Sequence, residues 1–111
     1  MQTTSSIKRN YEFRRLYASG KSAGTSHIVL YAKRNRQGKS QLGITVSTKV
    51  GKAVIRNRVR RRLREIYRLY EGEICPGFDL VIVARVKSPT ASYAQLERDF
   101  LRLRDKLGLG L

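Results

Sequence analysis

Between Lys49 and Arg64 the chain carries eight cations (Lys49, Lys52, Arg56, Arg58, Arg60, Arg61, Arg62 and Arg64) and no acid, a local charge of +8. Arginine presents a planar fork of donors matched to phosphate and base edges, so such a run suits a polyanionic partner better than covalent catalysis. Apolar Ile55, Val59, Leu63 and Ile66 recur through the same window at helical spacing. Turning a helix by about 100° per residue sets Asn57, Arg61, Arg64 and Arg68 opposite that stripe. Arg56 and Arg60 fall on one flank, Arg58 and Arg62 on the other. A face that was merely solvated would mix signs through i, i+4 pairs. Here Arg56, Arg60, Arg64 and Arg68 stack like charge on like charge at a cost in stability, which predicts polyanion binding.

The whole chain repeats that signal. Its 111 residues hold 24 Lys plus Arg against 8 Asp plus Glu, for a net charge of +16 and a pI near 11.0. Hydrophobic residues make up 41% of the sequence, enough for one core, so the expectation is a single domain over 1–111 with 1–9 a loose basic lead-in. No apolar run approaches the roughly 20 residues that span a bilayer, and the first residues lack a secretory apolar stretch; a cytoplasmic protein with no membrane partner is expected. Cys75 and His27 are each alone of their type and make no zinc constellation, so both are read as structural and no metal-binding residue is assigned. Carboxylates are too sparse for a two-metal nuclease: Glu97, Asp99 and Asp105 sit among Arg98, Arg102 and Arg104 and read as surface pairs. The polypeptide is expected to supply no catalytic residue.

The elements that would position these residues follow from periodicity. Asn10 is placed to cap a short helix with Phe13, Leu16 and Tyr17 on one side, stopped by Gly20. His27 to Asn35 alternates as a strand, with Ile28, Leu30 and Ala32 on one face and Val29, Tyr31 and Lys33 on the other. Gln41 to Ser47 alternates again, Leu42, Ile44 and Val46 against the small or polar Gly43, Thr45 and Ser47. One face of that sheet is expected to be core and the other not. The basic helix runs from Ala53 to about Glu71, ended by Gly72. Residues 79–86, DLVIVARV, read as a buried strand. Ser92 with Gln95 makes a capping box for a last helix whose stripe is Tyr93, Leu96, Phe100, Leu103 and Leu107, closed by Gly108. The fold class is α+β, an αβ sandwich in the order α-(β)-β-β-α-β-α, with helices packed on one central sheet.

The segment GKAVIRNRVRRRLREIYR, preceded by LGITVSTKV, resembles the signature of the bacterial ribonuclease P protein subunit. NYEFRRLYASGKS before it and DLVIVAR after it match the family pattern in the right order, so the resemblance covers about residues 8–105. It implies a small protein cofactor of a catalytic RNA, the two together removing the 5′ leader from precursor tRNA as an endoribonuclease. It also implies an unusual left-handed βαβ crossover, against the right-handed general rule. Arg56, Asn57, Arg58, Arg61 and Arg64, with Lys49 and Lys52, would contact the catalytic RNA, and Arg60 and Arg68 extend the same basic surface. Phe13, Tyr17 and Tyr31 correspond to aromatic positions of a leader-binding cleft, with Lys33 and Thr45 beside them on the sheet face. Single strands bind by stacking on aromatics in a positive groove, which agrees with this reading. The sequence departs from the family in carrying Tyr at position 17, where Phe is also common, and Ser-Thr-Lys rather than a double Lys at Lys49. Mg²⁺ would be bound mainly by the RNA, and no obligate protein partner is evident. The rival is a ribosomal or general structural RNA-binding protein, which shares the charge but needs no leader cleft. A helix-reading DNA binder lacks the dimer seam or second helix that duplex readers use.

Overall fold

The computed structural model describes residues 4–7 and 9–111. Strand β1 (Ser5–Ser6) leads to helix α1 (Asn10–Ser19), strands β2 (Lys21–Gly24), β3 (Ile28–Arg34) and β4 (Gln41–Val46), helix α2 (Ala53–Tyr70), strand β5 (Phe78–Ala84) and helix α3 (Tyr93–Lys106). The five strands form one sheet in the order β1-β4-β5-β3-β2. β4 and β5 pair in parallel around the intervening α2, while β5, β3 and β2 are antiparallel neighbours.

The main core lies where α2 and α3 cover one face of the sheet. Ile28, Leu30 and Ala32 of β3 and Leu80, Ile82 and Ala84 of β5 meet Val59, Leu63, Ile66 and Tyr67 of α2 and Leu96, Phe100 and Leu103 of α3. The Tyr67 and Phe100 rings join the two helices edge to face, with centroids 6.3 Å apart. α3 starts as its sequence predicts: Ser92 Oγ accepts from the Gln95 backbone N–H, and the Gln95 side chain accepts in return from the Ser92 N–H.

The opposite face, expected from β4 to lie outside the core, carries packing of its own. α1 crosses it and closes a second, smaller core of Ile7, Leu16 and Val81, with Phe13, Tyr31 and Val83 packed alongside. Two glycines permit this approach. A Cβ at Gly43 would lie 2.6 Å from Phe13 Cε1, and one at Gly20, at the end of α1, would lie 3.1 Å from the Ala32 carbonyl oxygen of β3.

Other local expectations are corrected. Arg9, not Asn10, is the N-cap of α1, and it makes no side-chain cap bond. α2 ends at Tyr70 and tightens into a 3-10 turn, Glu71–Glu73, so Gly72 lies inside the turn rather than ending the helix. Residues 1–3 and Lys8 lie outside the described residues, but the rest of the expected loose lead-in is held. Ser5–Ser6 pairs in parallel with Gln41 and Leu42 of β4, and Ile7 is buried. Thr4 is bound to α2: its Oγ1 is 2.8 Å from Tyr67 Oη, and its N–H donates to Glu71 Oε2 at 3.0 Å. Backbone pairing and these polar contacts fix a segment whose composition gave no strand signal.

Candidate nucleic-acid interface

α2 divides apolar from basic residues around its circumference. Val59, Leu63, Ile66 and Tyr67 are buried, while Asn57, Arg58, Arg61, Arg64 and Arg68 are exposed, as the helical projection placed them. Arg56, Arg60 and Arg62 are half-buried on the flanks. Packing therefore leaves the guanidinium groups outward without asking the core to accept a charge. Among the described residues, Arg61 alone of the α2 cations forms an ion pair, a 3.8 Å contact with Glu65 on the same helix in which both side chains are more than half exposed. A pair so exposed contributes little and competes weakly with a phosphate. Arg60 donates to Asn57 Oδ1 at 3.0 Å, and Arg56 Nε donates to the Gly51 carbonyl at 3.2 Å. Those contacts orient two side chains without neutralising them.

The start of α2 adds to this surface. Its first turn holds no acid, Lys52 is the N-cap without a side-chain cap bond, and Lys49 is exposed in the preceding turn, whose backbone N–H donates to Ser47 Oγ. Free N–H groups at a helix N-terminus together with flanking lysines suit a phosphate.

The second cluster lies between α1 and the sheet. Phe13 rests on Gly43. The Tyr17 ring meets Tyr31 edge to face with centroids 4.9 Å apart, and Phe13 and Tyr17 are 6.5 Å apart. Tyr17 Oη lies 3.2 Å from Thr45 Oγ1, so the hydroxyl that sets this position apart from Phe has a partner. Tyr17 remains 41% exposed, and Phe13, Tyr31 and Thr45 are half-buried. Strand register extends this floor: Gly43, Val81 and Tyr31 lie side by side, and Thr45, Val83 and Val29 form the next row. Val29 shares the Tyr31 face by alternation along β3, but Val83 had no individual signal, because only strand pairing puts it beside the aromatics.

Lys33 is not part of that group. α1 crosses the sheet between it and Tyr31, and Lys33 Nζ donates to Ser19 Oγ at 2.8 Å on the other side of the helix. Alternation along β3 gives Tyr31 and Lys33 the same face but cannot show a helix lying between them.

The remaining chemistry-bearing residues are engaged structurally. Asp99 Oδ2 meets His27 Nδ1 at 2.8 Å and accepts from Thr25 Oγ1 at 3.0 Å, fastening the β2–β3 turn to α3. Glu97 accepts from Tyr70 Oη, which raises the Tyr70 pKa, chiefly through that hydrogen bond. These two acids thus reach across to other elements rather than pairing with neighbouring arginines, while Asp105 does pair with Arg104 at 3.0 Å. Cys75 Sγ faces the Gly110 carbonyl. Among the described residues no three His, Cys, Asp or Glu side chains come together to hold a metal ion, and no helix is long and apolar enough to cross a membrane.

Comparison with known proteins agrees with the likeness read in the sequence. A family model for Ribonuclease P matches residues 1–108. The ribonuclease P protein component of Natranaerobius thermophilus is 41% identical over 100 residues, covering 90% of this chain and 87% of that protein. That of Clostridioides difficile is 42% identical, covering 90% and 89%. The solved Staphylococcus aureus RNase P protein superposes with a TM-score of 0.87 at 28% identity, covering 96% of this chain and 97% of that one. The RNase P protein from Thermotoga maritima gives 0.79 at 30% identity, covering 88% and 93%. The chain belongs to the Ribonuclease P family, as a protein component and hence a subunit of the ribonuclease P endoribonuclease.

Proposed function

We propose that the chain holds the catalytic RNA through the outer face of α2 and holds the 5′ leader of precursor tRNA in the cleft between α1 and the sheet. The observation that carries the leader reading is the Tyr17–Tyr31 pair at 4.9 Å, with Tyr17 exposed and Thr45 beside it. A π-face open to solvent accepts an unpaired base of any identity. Arg58, Arg61, Arg64 and Arg68, with Lys49 and Lys52, face outward for the backbone of the folded RNA.

The protein's part in the reaction is positional. Binding the leader beside a docked catalytic RNA makes the scissile phosphate a local reactant, so affinity for the leader becomes productive orientation. Hydrolysis of the phosphodiester, and the Mg²⁺ that supports it, belong to the RNA. The positive surface lowers repulsion between two polyanions and so reduces the Mg²⁺ needed to bring them together. The cytoplasm, where precursor tRNA is made, is the compartment for this role.

Adding the chain to its cognate catalytic RNA at Mg²⁺ too low for the RNA alone should restore cleavage of precursor tRNA at the mature 5′ end. RNA binding without restored cleavage would leave a general RNA-binding protein instead.

A further inference from the structure

On the side of α1 away from Phe13 and Tyr17 lies a second groove of about 660 Å³, between that helix and the loop joining β3 to β4. It gathers five cations, Arg9, Arg15, Lys33, Arg34 and Arg36, against two acids, Glu12 and Asp79. Among the described residues none of the five cations forms an ion pair, and Asp79 instead accepts from Asn35 Nδ2 at 2.9 Å. The groove thus keeps a net positive charge that the fold does not use.

Two further observations narrow the ligand. Tyr11 is 48% exposed at the rim and carries the Arg15 guanidinium 5.8 Å from its ring centre, a cation and aromatic platform of the kind on which unpaired bases stack. Half-buried Gln41 and exposed Gln37 line the groove, the Gln41 Nε2 donating to Gln37 Oε1 at 3.5 Å. The Gln37 amide can both donate to and accept from a base edge or ribose hydroxyl, a capacity that a bare phosphate, an acceptor only, does not call for. We propose that this groove is a second RNA site, one that takes an unpaired segment through its bases and sugars as well as its phosphates. It stands independently of the leader reading, because α1 separates the two surfaces and they share no aromatic residue.

The test is photo-crosslinking of the full chain to a single-stranded oligoribonucleotide of about a dozen nucleotides bearing 4-thiouridine, with the adducts mapped by mass spectrometry. Adducts are expected at Tyr11 itself, resolved by fragmentation from Phe13 two residues on, as well as at the Tyr31 peptide. Replacing both Arg15→Ala and Arg36→Ala should lower the Tyr11 adduct by roughly fivefold or more and spare the other, and Tyr31→Ala should do the reverse. Arg15 and Arg36 are exposed and their side chains make no hydrogen bond, so the fold should survive; Arg36→Glu, confined to the loop, gives the same reading if the double variant melts early. Adducts confined to the Tyr31 peptide would overturn the proposal, as would equal competition by duplex RNA of the same sequence. In the assembly with catalytic RNA and precursor tRNA, 4-thiouridine placed in the leader or in the catalytic RNA identifies which supplies the strand. A Tyr11 adduct from neither contradicts the site.

Discussion

The outer face of α2 and the cleft under α1 are both read as RNA surfaces, but they are built in opposite ways. On α2 the functional side chains point away from the core, and the residues that fold the helix are a different set on its other side. In the cleft the rings proposed to bind are also packing residues: Phe13 fills the space above Gly43, and Tyr31 packs against the second core while pairing with Tyr17. Charge can be displayed on a helix without being packed, since its partner lies outside. A stacking ring must be held rigidly to bind well, and holding it means burying part of it. Binding and stability should therefore separate cleanly on α2 and mix in the cleft.

The sharpest way to break that contrast is Arg61→Ala with Arg64→Ala. Each lost charged contact should weaken association with the catalytic RNA by roughly 1.5–3 kcal/mol, while the thermal midpoint barely moves. In a salt titration the slope of log affinity against log salt should fall by about 0.7 for each lost single-strand phosphate contact. Early melting with normal affinity once folded would mean that the two faces of α2 had been exchanged.

Gly43→Ala probes the other half. The new Cβ, 2.6 Å from Phe13 Cε1, must push the ring off the sheet. Overpacking of this kind costs roughly 1–3 kcal/mol of stability, and because the ring also lines the cleft, leader affinity should fall with it. Denaturant unfolding alongside leader binding checks both. A change in one alone would show that Phe13 does not couple packing to binding.

A smaller effect sharpens the α2 side. Burial raises the Tyr67 pKa above 10.0, the Thr4 hydrogen bond lowers it in part, and the Glu71 charge raises it further. The native state thus holds the Tyr67 proton more tightly than the unfolded chain does. This contribution to stability is complete below about pH 10 and is lost as pH rises through the native pKa. Tyr67→Phe should therefore flatten the alkaline fall in stability measured by denaturant titration, leaving the exposed arginines and their RNA affinity at neutral pH unchanged.

How much of this was legible in the sequence followed the range of the interactions involved. α2 and α3 announce themselves through long apolar periodicity, and the Ser92–Gln95 cap is local, so both were readable residue by residue. β1 is two serines held by backbone bonds to β4, and nothing in their type predicts that pairing. The roofing of Gly43 by Phe13 and the separation of Lys33 from Tyr31 both depend on where α1 crosses the sheet, a long-range fact that alternation within one strand does not contain. The basic face of α2 was legible for the same reason as its helix, since charge and burial share one period. The cleft was legible mainly through family resemblance, because its residues come from three separate segments.

The central claim is that the rings between α1 and the sheet read the leader, and the most direct measurement is the affinity of the assembled ribonucleoprotein for precursor and mature tRNA with and without Tyr31→Ala. Loss of the ring should weaken precursor binding by roughly 1–3 kcal/mol per stacked base, leave mature tRNA binding unchanged and leave assembly with the catalytic RNA intact. A folded, assembled Tyr31→Ala protein that still prefers precursor to mature tRNA as strongly as the parent would contradict the account.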